Sequence, residues 1–379
     1  MGFATFASAD PITYLTADDM YEGLRFGSEM TISNQELFES YPSDYVKVHT
    51  PLANEYVAQM RLAIIARYAG SPLAPDIVVK TSHSKWTRGA FALNYPNGFQ
   101  LTIFPDPGVL ELNSKPSSID EIEKNLTLIQ TDFFDQGKEI GLEPASFTGS
   151  GHIHIEVSKV HPVTVRNFLA DFYNSTGLAV GALNEDVFNA IGAGEFPEAN
   201  KQELRNSFKN FDSESNRSLA DLENLASAAY QIPYSEDLPE FQKSRYGSRD
   251  DKSFAVSFLS LRSVGTLEIR SIRPQASAAS YLKLTKLFAA RMHLAEEKRI
   301  RGELVPIGEL KSLRGNPQAI IADFDRYVSE AGLDIKDYRE FVMPWWQNTG
   351  GEFDKYLDAK SKKNVPKRLK RTCSKTISE

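Results

Sequence analysis

The alternation of hydrophobic and polar positions divides the first third of the chain into a strand, a helix and a group of strands. An alternating run around Leu24 to Ser33 predicts the first strand. From Asn54 to Gly70 the apolar residues recur at helical spacing and the segment ends on glycine, which predicts an amphipathic helix. Between Ala90 and Asn113 the period shortens to that of strands, separated by turns rich in proline, asparagine and glycine. We expect these strands to be joined as hairpins.

The two patterns continue less regularly in the rest of the chain. Ser118, with Glu121 three residues later, forms a capping box and predicts a helix that begins there. The elements predicted after it are a strand over 152–158, a helix from about 162, a strand pair over 254–261 and 265–272, and a helix over 278–299. The polar segment from 191 to 250 predicts short helices and mobile loops at the rim of a site.

The order of these elements indicates the fold class. Strands come as hairpins, with helices inserted between strand pairs, and the regular βαβ alternation of a doubly wound fold is absent. The sequence also contains no glycine-rich phosphate loop of the P-loop or dinucleotide type. We therefore predict an α+β fold with a mainly antiparallel sheet.

Composition and charge limit the classes of protein to which the chain can belong. Its 379 residues are 41% hydrophobic, enough for a large folded core. No apolar stretch reaches about eighteen residues and no secretory signal is visible, so we expect a cytoplasmic protein that does not enter a membrane. The net charge of −7 disfavours nucleic acid as a partner. Because Cys373 is the single cysteine, a metal site has to be built from carboxylates and histidines.

Ionisable residues interrupt four of the predicted strands. They are Glu29, Glu111, the pair His152 and His154, and the pair Glu268 and Arg270. Side chains at i and i+2 of a strand point to one face, so the two histidines share a face with Glu156, and Glu268 shares one with Arg270. If these strands are neighbours, one face of the sheet carries a row of ionisable side chains, which we call the wall. Unpaired charges cannot be buried dry, so divalent cations and a polyphosphate would complete such a wall.

Each signal also has a simpler interpretation. A single glutamate on a strand is usually exposed, and His-x-His also fits a surface strand. Glu268 and Arg270 equally fit an exposed cross-strand charge ladder. The occurrence of all four signals in one chain favours a site. Magnesium and manganese prefer carboxylate oxygen and accept an imidazole, and an arginine beside a metal-binding glutamate suits phosphoryl transfer.

Four segments resemble motifs of the glutamine-synthetase-like carboxylate–amine ligase superfamily. They are FGSEMTI (26–32), PDPGVLELNSKP (105–116), GSGHIHIEVS (149–158) and GTLEIRSIRPQASAASYLKLTKLFAARM (265–292). The segments are similar, in this order, to the opening Phe-Gly-x-Glu strand, the Gly-x-x-Glu strand, the His-x-His strand, and the Glu-x-Arg strand with the helix after it. The pattern is most similar to the amidoligase and glutamate–cysteine ligase branch.

The resemblance implies a fold, cofactors and roles for single residues. It implies a curved antiparallel sheet with helices on its outer face, and a site for ATP with Mg²⁺ or Mn²⁺. The metal ligands that it implies are Glu29, Glu111, His152 and Glu268. It also implies that His154 lies near the nucleotide phosphates and that Arg270, the catalytic residue together with Glu268, contacts the transferred phosphoryl group. Relatives bind phosphate or carboxylate in the region of Arg245, Arg249 and Arg262, although these three also suit an exposed surface.

The sequence departs from the family pattern at three places. Thr31 stands where relatives usually have the second glutamate of Glu-x-Glu, which leaves one metal ligand fewer. His152 follows Gly151 directly, so the motif does not define which of the two histidines binds metal. The segment Ala279-Ser280 replaces an Asn-Pro of glutamine synthetases. We therefore predict an amidoligase-like enzyme rather than a glutamine synthetase.

The sequence thus predicts an ATP-dependent ligase that joins a carboxylate to an amine through an acyl-phosphate. Its substrate would be a small molecule, a peptide or a protein. Two alternatives stay open, an amide hydrolase on the same scaffold and a nucleotide-binding module whose catalytic site has decayed. We expect a catalytic domain over 1–300, a helical extension over 301–359 and a basic, disordered tail over 360–379. A homo-oligomer is compatible with the sequence.

Overall fold

A single curved sheet dominates the computed structural model. The described residues are 13–40, 51–80, 89–144, 151–179, 192–214, 217–218, 220–222, 225, 255–258, 261 and 265–341. The nine strands of the sheet are Phe26–Ser33 (β1), Asp76–Val79 (β2), Phe91–Asn94 (β3), Gln100–Asp106 (β4), Val109–Ser114 (β5), Glu143–Pro144 (β6), His152–Glu156 (β7), Val256–Ser257 (β8) and Thr266–Ile269 (β9). Their order is β2-β3-β4-β5-β1-β7-β9-β8, with β6 paired to β1, and every pair is antiparallel. The predicted α+β fold with an antiparallel sheet is confirmed.

The helices differ widely in length. They are Ala17–Gly23 (α1), Pro51–Arg67 (α2), Ile119–Lys124 (α3), Leu126–Ile129 (α4), Gln136–Glu139 (α5), Pro162–Asn174 (α6), Glu198–Ser213 (α7), Ala278–Ile300 (α8) and Pro317–Glu330 (α9), with a π-helix over Gln130–Asp135 and 3₁₀ turns over Ala193–Glu195 and Ile335–Phe341. In the described part of the chain, no helix combines the length and the hydrophobicity needed to cross a bilayer.

The strand register places the ionisable residues on one face of the sheet. Directly opposite residues on neighbouring strands share a face. Glu29 of β1 lies opposite His152 of β7, and Thr31 of β1 lies opposite Glu111 of β5. On the far side of β7, His154 lies opposite Glu268 of β9. The predicted wall therefore extends over four adjacent strands, with β1 near its centre.

The opposite face of the sheet is apolar and packs against helices. Met30 and Ile32 of β1 are fully buried. Gly137 of α5 approaches β1 so closely that a Cβ atom there would lie 2.5 Å from Ile32 Cδ1. The Tyr281 hydroxyl of α8 donates to the Phe26 carbonyl oxygen at 3.5 Å. These contacts support the central strand of the wall from its apolar side.

Most predicted elements are present with small changes at their ends. The first strand, α2, the hairpin strands, the capping box at α3, β7, α6, the β8–β9 pair and α8 are confirmed. One turn differs from the prediction, because β4 continues through Pro105 and Asp106. Asp106 still pairs with Val109, so only Pro107 and Gly108 form the turn.

The segment from 191 to 250 contains more regular structure than predicted. Its described part includes α7, a helix of 16 residues rather than a short one. Leu204, Phe208 and Phe211 are buried at helical spacing, which explains why this polar sequence is helical. Most of the segment after residue 214 lies outside the described residues, and so do the predicted loops.

The chain after α8 packs onto the preceding part. Ile320 and Phe324 of α9 belong to the same buried apolar cluster as the sheet. Arg291 of α8 donates to the Tyr327 carbonyl oxygen at 2.9 Å. The predicted division at residue 300 stays a prediction, and the tail over 360–379 lies outside the described residues.

Candidate functional site

Glu29 lies between the two histidines of β7. Its Oε1 atom accepts a hydrogen bond from His154 Nε2 at 3.0 Å, and its Oε2 atom contacts His152 Nδ1. Both contacts follow from the register, because β1 and β7 pair with Gly27 opposite His154 and Glu29 opposite His152. One carboxylate of β1 therefore positions both imidazoles.

Glu268 completes this group from the other side of β7. Its Oε1 atom lies 3.1 Å from His152 Nδ1 and also accepts a hydrogen bond from Arg270 Nη1. Glu268 is only 6% exposed. An exposed cross-strand charge ladder, the simpler interpretation of the sequence, does not fit such burial.

Three of these residues have the geometry of a cation site. Glu29, His152 and Glu268 each offer one ligand atom, and the three atoms lie within 4.8 Å of one another. Two carboxylate oxygens and one imidazole nitrogen suit Mg²⁺ or Mn²⁺ and leave coordination positions for water or phosphate oxygens. His152 Nδ1 faces both carboxylates, so a proton on this atom and a bound cation would compete for the same place.

Glu111 lies beside this three-residue group rather than within it. It is opposite Thr31 of β1, and Glu29 of the same strand is its diagonal neighbour. Burial and the nearby carboxylates of Glu29 and Asp106 raise the pKa of Glu111 well above its ordinary value. With its amide turned so that the nitrogen faces Glu111, Asn113 donates to Glu111 Oε1 at 3.1 Å. The site thus has an excess of negative charge at this end.

In contrast to Glu111, both Glu29 and His154 have neighbours that favour their charged forms. Burial raises the pKa of Glu29, but the imidazoles of His152 and His154 outweigh it and hold that pKa well below its ordinary value. For His154, burial lowers the pKa, and the hydrogen bond to Glu29 outweighs it, so the pKa is raised. A positively charged His154 beside an ionised Glu29 is therefore favoured, and such an imidazolium can donate to an anionic ligand.

A pocket opens beside the cation site, at the end of β1 that contains Gly27. Its volume is about 280 Å³. The residues that line it are Gly27, Ser28, Glu29, Asn113, Ser114, Pro116, His154, Glu156 and Thr266. Gly27 forms the floor, because it has no side chain there, and a Cβ atom would lie 3.5 Å from His154 Cβ on one side and from the Ser114 carbonyl oxygen on the other. The pocket and the cation site share Glu29, so a single ligand can reach both.

Two solved structures of GmaS, a γ-glutamylmethylamide synthetase, are similar to this chain. One is apo GmaS without ligand, at 13% sequence identity and a TM-score of 0.39, and the match covers 88% of this chain and 70% of that chain. The other is a GmaS–ADP complex, also at 13% identity and a TM-score of 0.39, covering 90% and 76%. No protein-family model and no curated protein matches the sequence. At this identity and TM-score the likeness assigns neither a family nor an activity to this chain, and no role to any of its residues.

The structure brings together six of the nine predicted site residues. These are Glu29, Glu111, His152, His154, Glu268 and Arg270. Arg245, Arg249 and Arg262 lie outside the described residues, so their proposed contacts with phosphate or carboxylate stay predictions.

Several residues of the site were not predicted from the sequence. Among them, Asp106 and Asn113 flank Glu111, and Gly27 and Thr266 line the pocket. Asn113, Gly27 and Thr266 are each two positions from a predicted ligand on the same strand, so the alternation rule applied one step further would have found them. Asp106 becomes a neighbour of the site only through strand pairing, which the local pattern does not contain.

Proposed function

We propose that this protein is an ATP-dependent carboxylate–amine ligase that acts through an acyl-phosphate with Mg²⁺ or Mn²⁺. The observation that carries the proposal is the contact of Arg270 with Glu268 inside a group of residues that can hold a cation. Phosphoryl transfer requires cation ligands and a guanidinium near one point, because its main demand is neutralisation of charge on the phosphoryl oxygens.

The residues of the site divide this work between them. Glu29, His152 and Glu268 would hold the cation, and Glu111 would add a carboxylate to the same wall. A bound cation would supply positive charge to the oxygens of the terminal phosphate. Among the described residues Arg270 is held by Glu268 through Nη1 alone, so the guanidinium keeps further donors for a phosphoryl group.

The proposed reaction then has two steps. A carboxylate oxygen of the substrate attacks the terminal phosphorus of ATP, the bond from that phosphorus to the bridging oxygen breaks, and ADP leaves with the electron pair. The amine nitrogen next attacks the acyl carbon, phosphate leaves, and the amine loses a proton. His154, charged beside Glu29, would donate to the phosphates and orient them during the first step.

The fate of a carboxylate oxygen tests this proposal. The protein is incubated with ATP, Mg²⁺ and a mixture of amino acids and short peptides whose carboxylates carry ¹⁸O, and the released phosphate is analysed by mass spectrometry. A ligase that forms an acyl-phosphate transfers one ¹⁸O atom to each phosphate. Amide cleavage without ATP consumption would support the hydrolase instead, and ATP hydrolysis with oxygen from solvent alone would contradict the acyl-phosphate.

A further inference from the structure

One edge of the sheet is formed by β2, and no strand among the described residues pairs with its outer side. Val78 and Val79 of this strand are 42% and 45% exposed. Leu62 and Ile65 of α2, and Leu73 in the connection from α2 to β2, are exposed as well. A sheet edge that presents apolar side chains and unpaired backbone groups is a template for pairing with another chain.

The pairing of β2 with β3 determines which backbone groups point outwards. The Lys80 N–H donates to the Ala90 carbonyl oxygen at 2.8 Å, and the strand register, continued by one position, places these two residues directly opposite each other. In an antiparallel pair, hydrogen-bonded and non-hydrogen-bonded positions alternate, so every second residue before Lys80 also directs its backbone groups toward β3. The N–H and C=O groups of Ile77 and Val79, which lie between those positions, therefore point away from the sheet.

The two ends of this edge carry opposite charges. Asp76 at the start of β2 and Lys80 directly after its end are both exposed. An identical strand placed antiparallel, with Val78 of each copy on a twofold axis, brings each Asp76 opposite the partner's Lys80. The same register brings Ile77 opposite the partner's Val79, so the outward backbone groups meet as hydrogen-bonded pairs. Charge and backbone hydrogen bonds therefore select the same register.

Shifted registers fit less well. Centred on Ile77, the pairing places Val79 opposite the partner's Pro75, which has no N–H to donate. Centred on Val79, it places Lys80 opposite an apolar residue, the partner's Val78. Neither shift brings the two opposite charges together.

We propose that two copies of this chain associate through β2 as a twofold dimer in which the two sheets join into one. Val78 lies on the wall face, because direct pairing across β3, β4 and β5 leads from it to Glu29 of β1. The twofold axis is perpendicular to the sheet, so both candidate sites would lie on the same side of the dimer. Because β2 contributes none of the described site residues, the inference is independent of the proposed function.

Charge reversal at the two ends of the edge tests this dimer, measured by sedimentation equilibrium at low ionic strength. The wild type should form a dimer of twice the chain mass of 42.4 kDa. Asp76→Lys alone and Lys80→Asp alone each place like charges opposite each other at both ends of the pairing, so either should raise the dissociation constant about tenfold or more. An equimolar mixture of the two variants restores opposite charges at both ends. It should form a heterodimer with a dissociation constant within about threefold of the wild-type value.

A proline substitution tests the backbone hydrogen bonds separately. Val79→Pro removes an outward N–H and leaves the bonds to β3 in place, so it should weaken the dimer about tenfold or more. Val79→Thr keeps the N–H and should retain the dimer. Glu143→Lys changes the charge of an exposed residue on β6, away from this edge, and should also retain it. Thermal melting followed by circular dichroism verifies that each variant is folded.

Three results would overturn the proposal. The first is a wild-type protein that stays monomeric at about 100 μM, a concentration at which even a weak dimer is populated, and this result would leave the edge to a partner of another kind. The second is a dimer whose affinity neither single charge variant changes. The third is a mixture of the two charge variants that associates no more tightly than either variant alone.

Discussion

At the residue scale, the site is defined by carboxylates whose charges are compensated to different degrees. Glu29 has two imidazole partners and Glu268 has an imidazole and a guanidinium. Glu111 forms no ion pair with a described residue, and its burial and the carboxylates of Glu29 and Asp106 outweigh the more distant guanidinium of Arg270. In the absence of metal, the ionised form of Glu111 therefore opposes folding.

The pH dependence of stability should reveal this effect. The folded-state pKa of Glu111 is raised above the unfolded value of about 4.3. The stability that this carboxyl group contributes is therefore fully present below about pH 4.3 and is lost as the pH rises through the folded-state pKa. Glu111→Gln should therefore raise the melting temperature of the metal-free protein more at pH 8 than at pH 5. The extra rise in melting temperature at pH 8 should be about 2–4 °C for each kcal/mol by which the ionised Glu111 destabilises the fold.

The measurement is calorimetric melting in the presence of a chelator at the two pH values. Glu143→Gln, a change at an exposed position of β6, is the matched control and should shift the melting temperature equally at both. An equal shift at both pH values for Glu111→Gln would mean that its ionisation does not strain the fold.

The two histidines should differ in their response to metal. His152 Nδ1 belongs to the cation group and His154 Nε2 does not. We expect His152→Ala to weaken Mn²⁺ binding without nucleotide about tenfold or more, with activity partly restored by excess metal. His154→Ala should bind Mn²⁺ normally and lose affinity for ADP. The roles are reversed if only the His154 variant responds to metal, and the wall is not a metal site if neither affinity changes beyond about twofold.

At the element scale, the alternation rule predicted which residues of a strand share a face, but it could not predict which strands are neighbours. The side chains of β7 and of β9 were placed on common faces correctly. The contact of His152 with Glu29 depends on a strand pairing between positions 123 residues apart in the sequence, and no local pattern predicts such a pairing. The π-helix over Gln130–Asp135 was not predicted, and neither was the edge strand β2, although the Ile-Val-Val run of β2 has a strong local preference for strand.

The start of β7 depends on the small size of Gly151. A Cβ atom there would lie 2.0 Å from Gln275 Nε2, and Gln275 is 2% exposed, so its amide has little room to move. Gly151→Ala should reduce the free energy of unfolding by about 1–3 kcal/mol, as overpacking does. Gly27→Ala is the matched control on the neighbouring strand, because its Cβ would meet its nearest atoms at an ordinary 3.5 Å.

Urea unfolding of the two variants makes the comparison. Gly27→Ala should stay within about 0.5 kcal/mol of the wild type and still bind Mn²⁺, but bind ADP more weakly, since the added methyl group occupies the pocket floor. Equal stability of the two variants would contradict the tight packing of Gly151 against Gln275.

At the scale of the whole molecule, the two faces of the sheet differ in role: one forms the core and the other carries the candidate site. Its apolar face carries the helices and the core, and its other face collects ionisable groups from four strands. The sequence was sufficient to predict the antiparallel α+β fold and most of the wall. It could not predict the depth of the pocket, because the pocket exists only where Gly27 lies between residues of two other strands.

We propose that Glu29, His152 and Glu268 hold a divalent cation which contacts a nucleotide phosphate. Pulsed electron paramagnetic resonance of protein-bound Mn²⁺ tests this arrangement, because it detects nuclei bonded to the metal or close to it. We expect a ¹⁴N coupling from one imidazole that is lost in His152→Ala, and a ³¹P coupling that appears when ADP is added. Bound Mn²⁺ with no ¹⁴N coupling, or ADP binding without a ³¹P coupling, would contradict it.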